Sequence, residues 1–248
     1  AGLAVVVASF FINEDSPGWM IAIGFVFMLL VSLATGLING SFIRYLKFTA
    51  IAATLTTYIA LQGVSFLLRD APEGYINRSI METISTKVGP IPVSFILLAA
   101  IAVVLEIRLR RSRWGWSLRA VGSNEEAARR IGVNVNRTVV FGYVATSFFA
   151  FMGALVLLAQ LGVGDPAQGI GYTLSSITAV VLGGTSLLGG RGSFIGTLLG
   201  SVLLIQVMNA VVFLDLSQMW TYYFQGALIL VAAIVYTLLR SRQSAIKE

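Results

Sequence analysis

Glu125, Glu126, Arg129 and Arg130 stand in one short run, SNEEAARRIG at residues 123–132, whose spacing suits recognition rather than bond-making. Ser123 and Glu126 have the S-x-x-E spacing of a capping box, in which each side chain satisfies a backbone N–H at a helix start. Acids in the first turn and bases in the last match the two ends of the helix dipole. Gly132 supplies a C-terminal stop. A helix of about two turns is marginal in water on its own. A chain that specifies both ends of such a helix presents it to a partner; the plainer alternative is a surface helix resting on a bilayer.

Covalent chemistry has little to work with. The sequence has no Cys and no His, which removes thiol nucleophiles, disulfides and the commonest metal and proton-shuttle ligands. The outer acids Asp70, Glu73 and Glu82 are the candidates for a catalytic group at one interface, and no nucleophile or metal-ligand set joins them. The segment LGGTSLLGGRGSFIGTLLG at 182–200 has the glycine density of a phosphate loop but lacks the Lys-Ser/Thr that grips phosphate and magnesium. Its glycines instead predict a broken helix with close backbone approach. Gly192, Gly196 and Gly200 recur every fourth residue as a small-x-x-x-small face. Broken helices of this kind also border substrate paths.

The polar groups inside the apolar stretches are neutral: Asn39, Thr54, Thr56, Thr57, Gln62, Gln160, Ser175, Ser176, Thr178, Gln206 and Asn209. Asn39, Thr56, Gln62, Gln160, Ser175, Thr178, Gln206 and Asn209 are the candidates for a translocation path that hydrogen-bonds a neutral polyhydroxy solute. The competing reading is hydrogen bonding between packed helices. No Asp, Glu, Lys or Arg lies near a predicted midplane, since Glu106 and Asp215 sit at span ends. Ion-coupled carriers generally keep an ionisable group there, so the driving force must come from elsewhere.

The elements that position these groups follow from composition. Hydrophobic residues make up 57% of the 248 and charged residues only 11%, against roughly 25% charged in soluble domains. Several continuous apolar runs approach the roughly 20 residues that cross a bilayer. Continuity excludes a β-barrel, which needs short alternating strands. The predicted fold is all-α and polytopic, with spans at 19–38, 47–68, 92–107, 138–160, a Gly-interrupted 170–188, 194–214 and 218–239. Residues 1–12 read as the tail of a further span, giving about eight segments. The chain opens on AGLAVVVASFF without Met and reads as a single transmembrane domain, 1–248, that is N-terminally incomplete. A loose echo links GLINGSFIRYL at 36–46 with GTLLGSVLLIQVMN at 196–209.

Orientation follows from the cations. With residues 108–137 in the cytoplasm and the spans alternating, only Arg69, Arg78 and Lys87 of the 17 Lys and Arg fall outside. Glu14, Asp15, Asp70, Glu73, Glu82, Asp165 and Asp215 all fall outside, and the C-terminus, with Arg240, Arg242 and Lys247, inside. Parity requires 170–188 to cross. Trp19 and Trp220 mark one interface and Trp114 and Trp116 the other. The net charge of +6 is thus an orientation signal with membrane lipid as its partner, and no nucleic acid is needed to explain it.

The runs RAVGSNEEAARRIGVNVNRT at 119–138 and GDPAQGIGYTLSSITAVVLGGTSLLGGRGSFIGTLLG at 164–200 resemble the permease subunits of bacterial ABC importers of the ribose, xylose and branched-chain amino-acid class. The glycine run and the ending MWTYYFQGALIL at 219–230 look more like the sugar branch. The resemblance implies a permease of an ATP-driven, binding-protein-dependent importer in the bacterial inner membrane, multi-pass, with 108–137 as its coupling loop. It implies a coupling helix over Ser123, Asn124, Glu125, Glu126, Ala127, Ala128, Arg129, Arg130, Ile131 and Gly132. There the charged side chains would meet a cytosolic ABC ATPase subunit through polar contacts, and Ala127, Ala128 and Ile131 would pack on it. It further implies a second permease subunit, identical or not, and an extracytoplasmic solute-binding protein. The permease itself would be no enzyme and hold no cofactor, with ATP and magnesium bound by the partner subunit. A monosaccharide is the expected solute. A branched-chain amino acid or nucleoside, or a partner-independent facilitator or channel, are the alternatives.

Overall fold

The computed structural model describes residues 1–186, 189–217 and 219–245. Leu187 and Leu188 of the expected span 170–188, Gln218 at the start of 218–239, and Lys247 lie outside the described residues. Eleven helices and four strands of two or three residues make up the described elements. Helices α2 (Gly18–Arg44), α3 (Ala50–Leu68), α8 (Val135–Leu161) and α10 (Phe194–Phe213) are each long and apolar enough to cross a membrane. The protein is a helical, multi-span membrane protein. The expected span 92–107 is α5 (Val93–Arg111), whose last turns carry Glu106, Arg108, Arg110 and Arg111. The Gly-interrupted segment is α9 (Gly169–Leu182), only 14 residues long. Helix α11 (Met219–Ala245) follows the last loop.

The chain divides into two compact units, Ala1–Leu98 with Gly132–Ile170, and Ala99–Ile131 with Gly171–Glu248. In the first, α1 (Gly2–Ala8) is a short helix enclosed by its neighbours. Val5, Val6, Ala8 and Ile12 are buried with Met28, Ala154 and Leu158. Helices α2 and α8 run antiparallel and approach closely where α2 has no side chains. A Cβ on Gly36 would lie 2.7 Å from the Tyr143 carbonyl oxygen, and one on Gly40 3.0 Å from the Val140 Cα. At the far end of the pair the Arg44 guanidinium donates to Asn136 Oδ1 at 2.9 Å.

The opposite end of this unit is built from turns and short strands. Strand β1 (Glu73–Tyr75) pairs antiparallel with β4 (Val163–Gly164). Beyond α4 (Arg78–Ile84), β2 (Lys87–Val88) and β3 (Ile91–Pro92) form a hairpin. Gly89 at φ 62° supplies the positive φ its two-residue turn requires. Arg69 fastens α1 here. Its Nε donates to Ser9 Oγ at 3.0 Å, its Nη1 to Glu73 at 3.4 Å, and its guanidinium lies 4.2 Å from the Phe10 ring centroid. Arg44 and the start of α8 thus mark one end of the unit, and Glu73 and Gly164 the other. The outward faces of α2 and α3 present Val26, Leu30, Ile51, Leu55 and Ile59, the surface that a helix in lipid must show.

Candidate coupling surface and translocation residues

Two short helices form the polar island. Helix α6 (Arg113–Ser123) starts at Ser112, whose Oγ accepts from Gly115 N at 3.1 Å. Helix α7 (Glu125–Arg130) follows directly. The capping box expected at Ser123 is not formed, because Ser123 is the last residue of α6. Asn124 takes both jobs, closing α6 and capping α7, in an extended conformation at φ −159°, ψ 109°. Its Oδ1 accepts from Ala127 N at 2.9 Å. Glu126 pairs along its own helix with Arg130 at 2.6 Å. The stop is as expected: Ile131 caps the helix and Gly132 adopts φ 85°.

Replacing Asn124 with Ala is therefore expected to cost α7 about 1 kcal/mol. Amide exchange over 125–131 should quicken roughly fivefold, while Ser123→Ala leaves it unchanged. The reverse ranking would return the cap to Ser123.

Five residues of α7 face outward and one does not. Glu125, Glu126, Ala127, Arg129 and Arg130 are exposed, as is Ile131 at 74%, whereas Ala128 is only 1% exposed. Ala128 is thus turned into its own fold and is absent from the face that Ala127 and Ile131 present. This corrects its expected place among the partner-facing residues.

The glycine segment lies against the α6–α7 joint in the second unit. A Cβ on Gly122 would sit 2.7 Å from Gly190 N, and one on Gly189 2.6 Å from the Gly122 carbonyl oxygen. Gly189 and Gly190 both have positive φ, 87° and 75°, so no other residue type fits this turn without strain. Further along, Gly196 and Gly200 at the start of α10 pack on the end of α9. A Cβ on Gly200 would lie 2.8 Å from Gly183 N. The small-residue face therefore holds for Gly196 and Gly200. Gly192 precedes α10 and lies beside Thr185 instead.

Glu106 joins this group from α5. It is 4% exposed, and its carboxylate accepts from Arg110 Nε at 2.6 Å, Phe194 N at 2.7 Å and Ser193 Oγ at 3.1 Å. Ser193 is itself the N-cap of α10, accepting from Gly196 N at 3.1 Å. A buried carboxylate is costly unless paired and hydrogen-bonded, and here three donors and the positive end of a helix meet it.

The eight candidate path residues divide between the two units, four in each. In the first unit, Gln62 Nε2 donates to the Pro166 carbonyl at 2.7 Å, fastening α3 to the loop before α9. Asn39 has a buried Oδ1 with no hydrogen-bond partner among the described residues. Thr56 and Gln160 are exposed. In the second, Thr178 is fully buried and donates to the Leu174 carbonyl at 2.9 Å. Ser175 Oγ accepts from Gln225 Nε2 at 3.1 Å, and Gln206 and Asn209 are exposed. Gln62, Ser175 and Thr178 thus bond within their own units.

Glu106, Arg69 and Gln225 make polar contacts that their sequence positions do not predict. Gln225 is 3% exposed within α11; a lone amide in an apolar run was its available signal. Among the described residues, no group of three or more His, Cys, Asp and Glu side chains gathers as a metal site.

Residues 1–233 match the family described as branched-chain amino acid transport system / permease component. Among curated proteins, the chain is 32% identical to the ribose import permease of Haemophilus influenzae over 84% of this chain and 66% of that protein. The galactose/methyl galactoside import permease of the same organism is 32% identical over 84% of this chain and 64% of its own length. The autoinducer 2 import system permease of Yersinia enterocolitica is 30% identical over 95% and 64%. The chain spans less than two thirds of the length of these relatives. No solved structure matches.

Proposed function

The chain belongs to the branched-chain amino acid transport system / permease component family, and on that premise we propose that it is the transmembrane permease subunit of an ATP-driven, binding-protein-dependent importer. The observation that carries this reading is α7, a helix capped at both ends whose exposed face joins four charged side chains to Ala127 and Ile131. In the proposed mechanism that face seats on a separate cytosolic ATPase subunit, which hydrolyses ATP while the permease does no covalent chemistry. Closure of two ATPase subunits displaces residues 123–132 on each of two permease subunits. The helices then open a central path alternately to an extracytoplasmic solute-binding protein and to the cytoplasm.

The relatives named for ribose and galactose favour a monosaccharide over the branched-chain amino acid of the family's description. Thr56, Gln160, Gln206 and Asn209 are the candidates best placed to meet such a solute, since no hydrogen bond among the described residues occupies their side chains. In this reading α2, α3, α5, α8, α9, α10 and α11 each cross the inner membrane and α1 ends a further span, about eight segments in all. The basic end of the first unit, with Arg44, faces the cytoplasm, and so does the C-terminus.

Purification of the full-length protein from its native membranes tests this. An ATPase subunit should co-purify in comparable amount. Proteoliposomes holding both subunits and the binding protein should take up labelled ribose or galactose only with ATP inside the cytoplasmic face. Uptake by this chain alone, without ATP, would replace the importer with a facilitator.

A further inference from the structure

We infer that Glu106 is a positioning residue that passes movement of α7 on to the start of α10, an inference that rests on the docking reading above. The chain of contacts lies within one unit. Helix α5 carries Glu106, continues through Ser112 into α6, and leads across Asn124 into α7. The end of α6 returns to the glycine turn through Gly122 against Gly189 and Gly190. That turn leads within three residues to Ser193, the cap of α10, and Ser193 and Phe194 both donate to Glu106. The N-terminus of α10 is thereby tied to the α5–α6–α7 segment at two points. One is a backbone contact that no side chain can cushion; the other is a charged clamp on a helix end.

The two ties differ in kind. Glycine contacts at 2.6–2.7 Å for an added Cβ bring the joint and the turn backbone to backbone, with no side chain between them. The Glu106 clamp is directional. Hydrogen bonds to a charged acceptor are about twice as strong as neutral ones, and both N–H and hydroxyl donors come from the first residues of α10. Arg110 is 62% exposed on its side-chain surface, so it balances the carboxylate without tying it to another element. A displacement of α7 that tilts α6 therefore pulls α10 along through the turn, and Glu106 keeps the helix end from lagging.

Coupling of this kind requires evidence beyond spatial continuity. The experiment is amide exchange on the full-length importer complex, with and without ATP plus vanadate. In the unmodified complex, nucleotide should change exchange both at 125–131 and at 193–197. In Glu106→Ala the change at 125–131 should persist, and the nucleotide-dependent change at 193–197 should fall about fivefold or more, the low end of ordinary coupling. Glu106→Gln, which keeps an acceptor oxygen for Phe194 N, should restore most of it. A merely structural role would shift exchange at 193–197 equally with and without nucleotide. Persistence of the full nucleotide effect in Glu106→Ala overturns the inference, as does its absence at 193–197 in the unmodified complex. Should Glu106→Ala not reach the membrane, Ser193→Ala decides on the same readout. No nucleotide effect at 125–131 in the unmodified complex would instead remove the docking reading, and this inference with it.

Discussion

In the proposed importer complex, Ile131→Asp is expected to lower co-purifying ATPase about 30-fold or more, with ATP-driven uptake falling alongside, while the chain still reaches the membrane in normal amount. Ile131 is 74% exposed at the end of α7, beside Gly132 at φ 85°. In the docking reading Ile131 offers this exposed apolar surface to the ATPase subunit. A central apolar anchor commonly contributes about 2 kcal/mol or more to an interface, about 30-fold in affinity. Ala127→Glu should act in the same direction. Ala128 is the wrong position for this test, because at 1% exposure a bulky charge there would disrupt the seat of α7 itself. Arg130→Ala should do less: its pair with Glu126 has both side chains more than three quarters exposed, and such pairs contribute about 0–1 kcal/mol. Undiminished ATPase recovery and uptake in Ile131→Asp and Ala127→Glu together would end the docking assignment.

Where the sequence was legible, single-residue physics decided. Continuous apolar runs located α2, α3, α8 and α10, and Gly132 located the end of α7, since each signal sits in the residues that obey it. The start of α7 was not legible in the same way. Ser123 and Asn124 are both competent caps, and the choice depends on where α6 ends. That helix is fixed by the Ser112 cap and by Gly122 lying on Gly190, a contact some 70 residues away in the chain. Ala128 shows the same limit: the sequence of a six-residue helix cannot say which face its own molecule covers. Glu106 was read as a span-end acid because its donors, Ser193 and Phe194, are brought by a different helix. The short strands β1 and β4 are three and two residues long, below the length at which alternation carries information. Of the path candidates, Gln62 carries the same amide as Gln206 and Asn209, and Ser175 a hydroxyl like that of Thr56, and only their neighbours separate packing from availability.

The largest effect on the fold is expected at two glycines that the sequence already set side by side. In the echo between 36–46 and 196–209, Gly36 and Gly40 correspond to Gly196 and Gly200, and each pair serves a close helix contact in its own unit. In lipid, helices gain little from burying apolar surface against one another, so association depends on close packing. Gly36→Leu would drive a side chain against Ser147 and the Tyr143 carbonyl at 2.7 Å, and Gly200→Leu against Gly183 N at 2.8 Å. Backbone atoms inside a packed helix cannot rotate aside as a side-chain tip can. Overpacking typically costs about 1–3 kcal/mol where neighbours can adjust, and here the obstacle is rigid, so about 3 kcal/mol or more is expected. Membrane accumulation of either variant should fall several-fold, and detergent-extracted protein should unfold at lower temperature. Gly63→Leu and Gly153→Leu are the matched controls, since an added Cβ there meets nothing within 4 Å among the described residues. Both should accumulate normally, leucine being a better helix former than glycine. Equal stability of Gly36→Leu and Gly63→Leu would show that α2 and α8 do not pack through this face. Loss in Gly200→Leu alone would make the α9–α10 contact the one on which the chain depends.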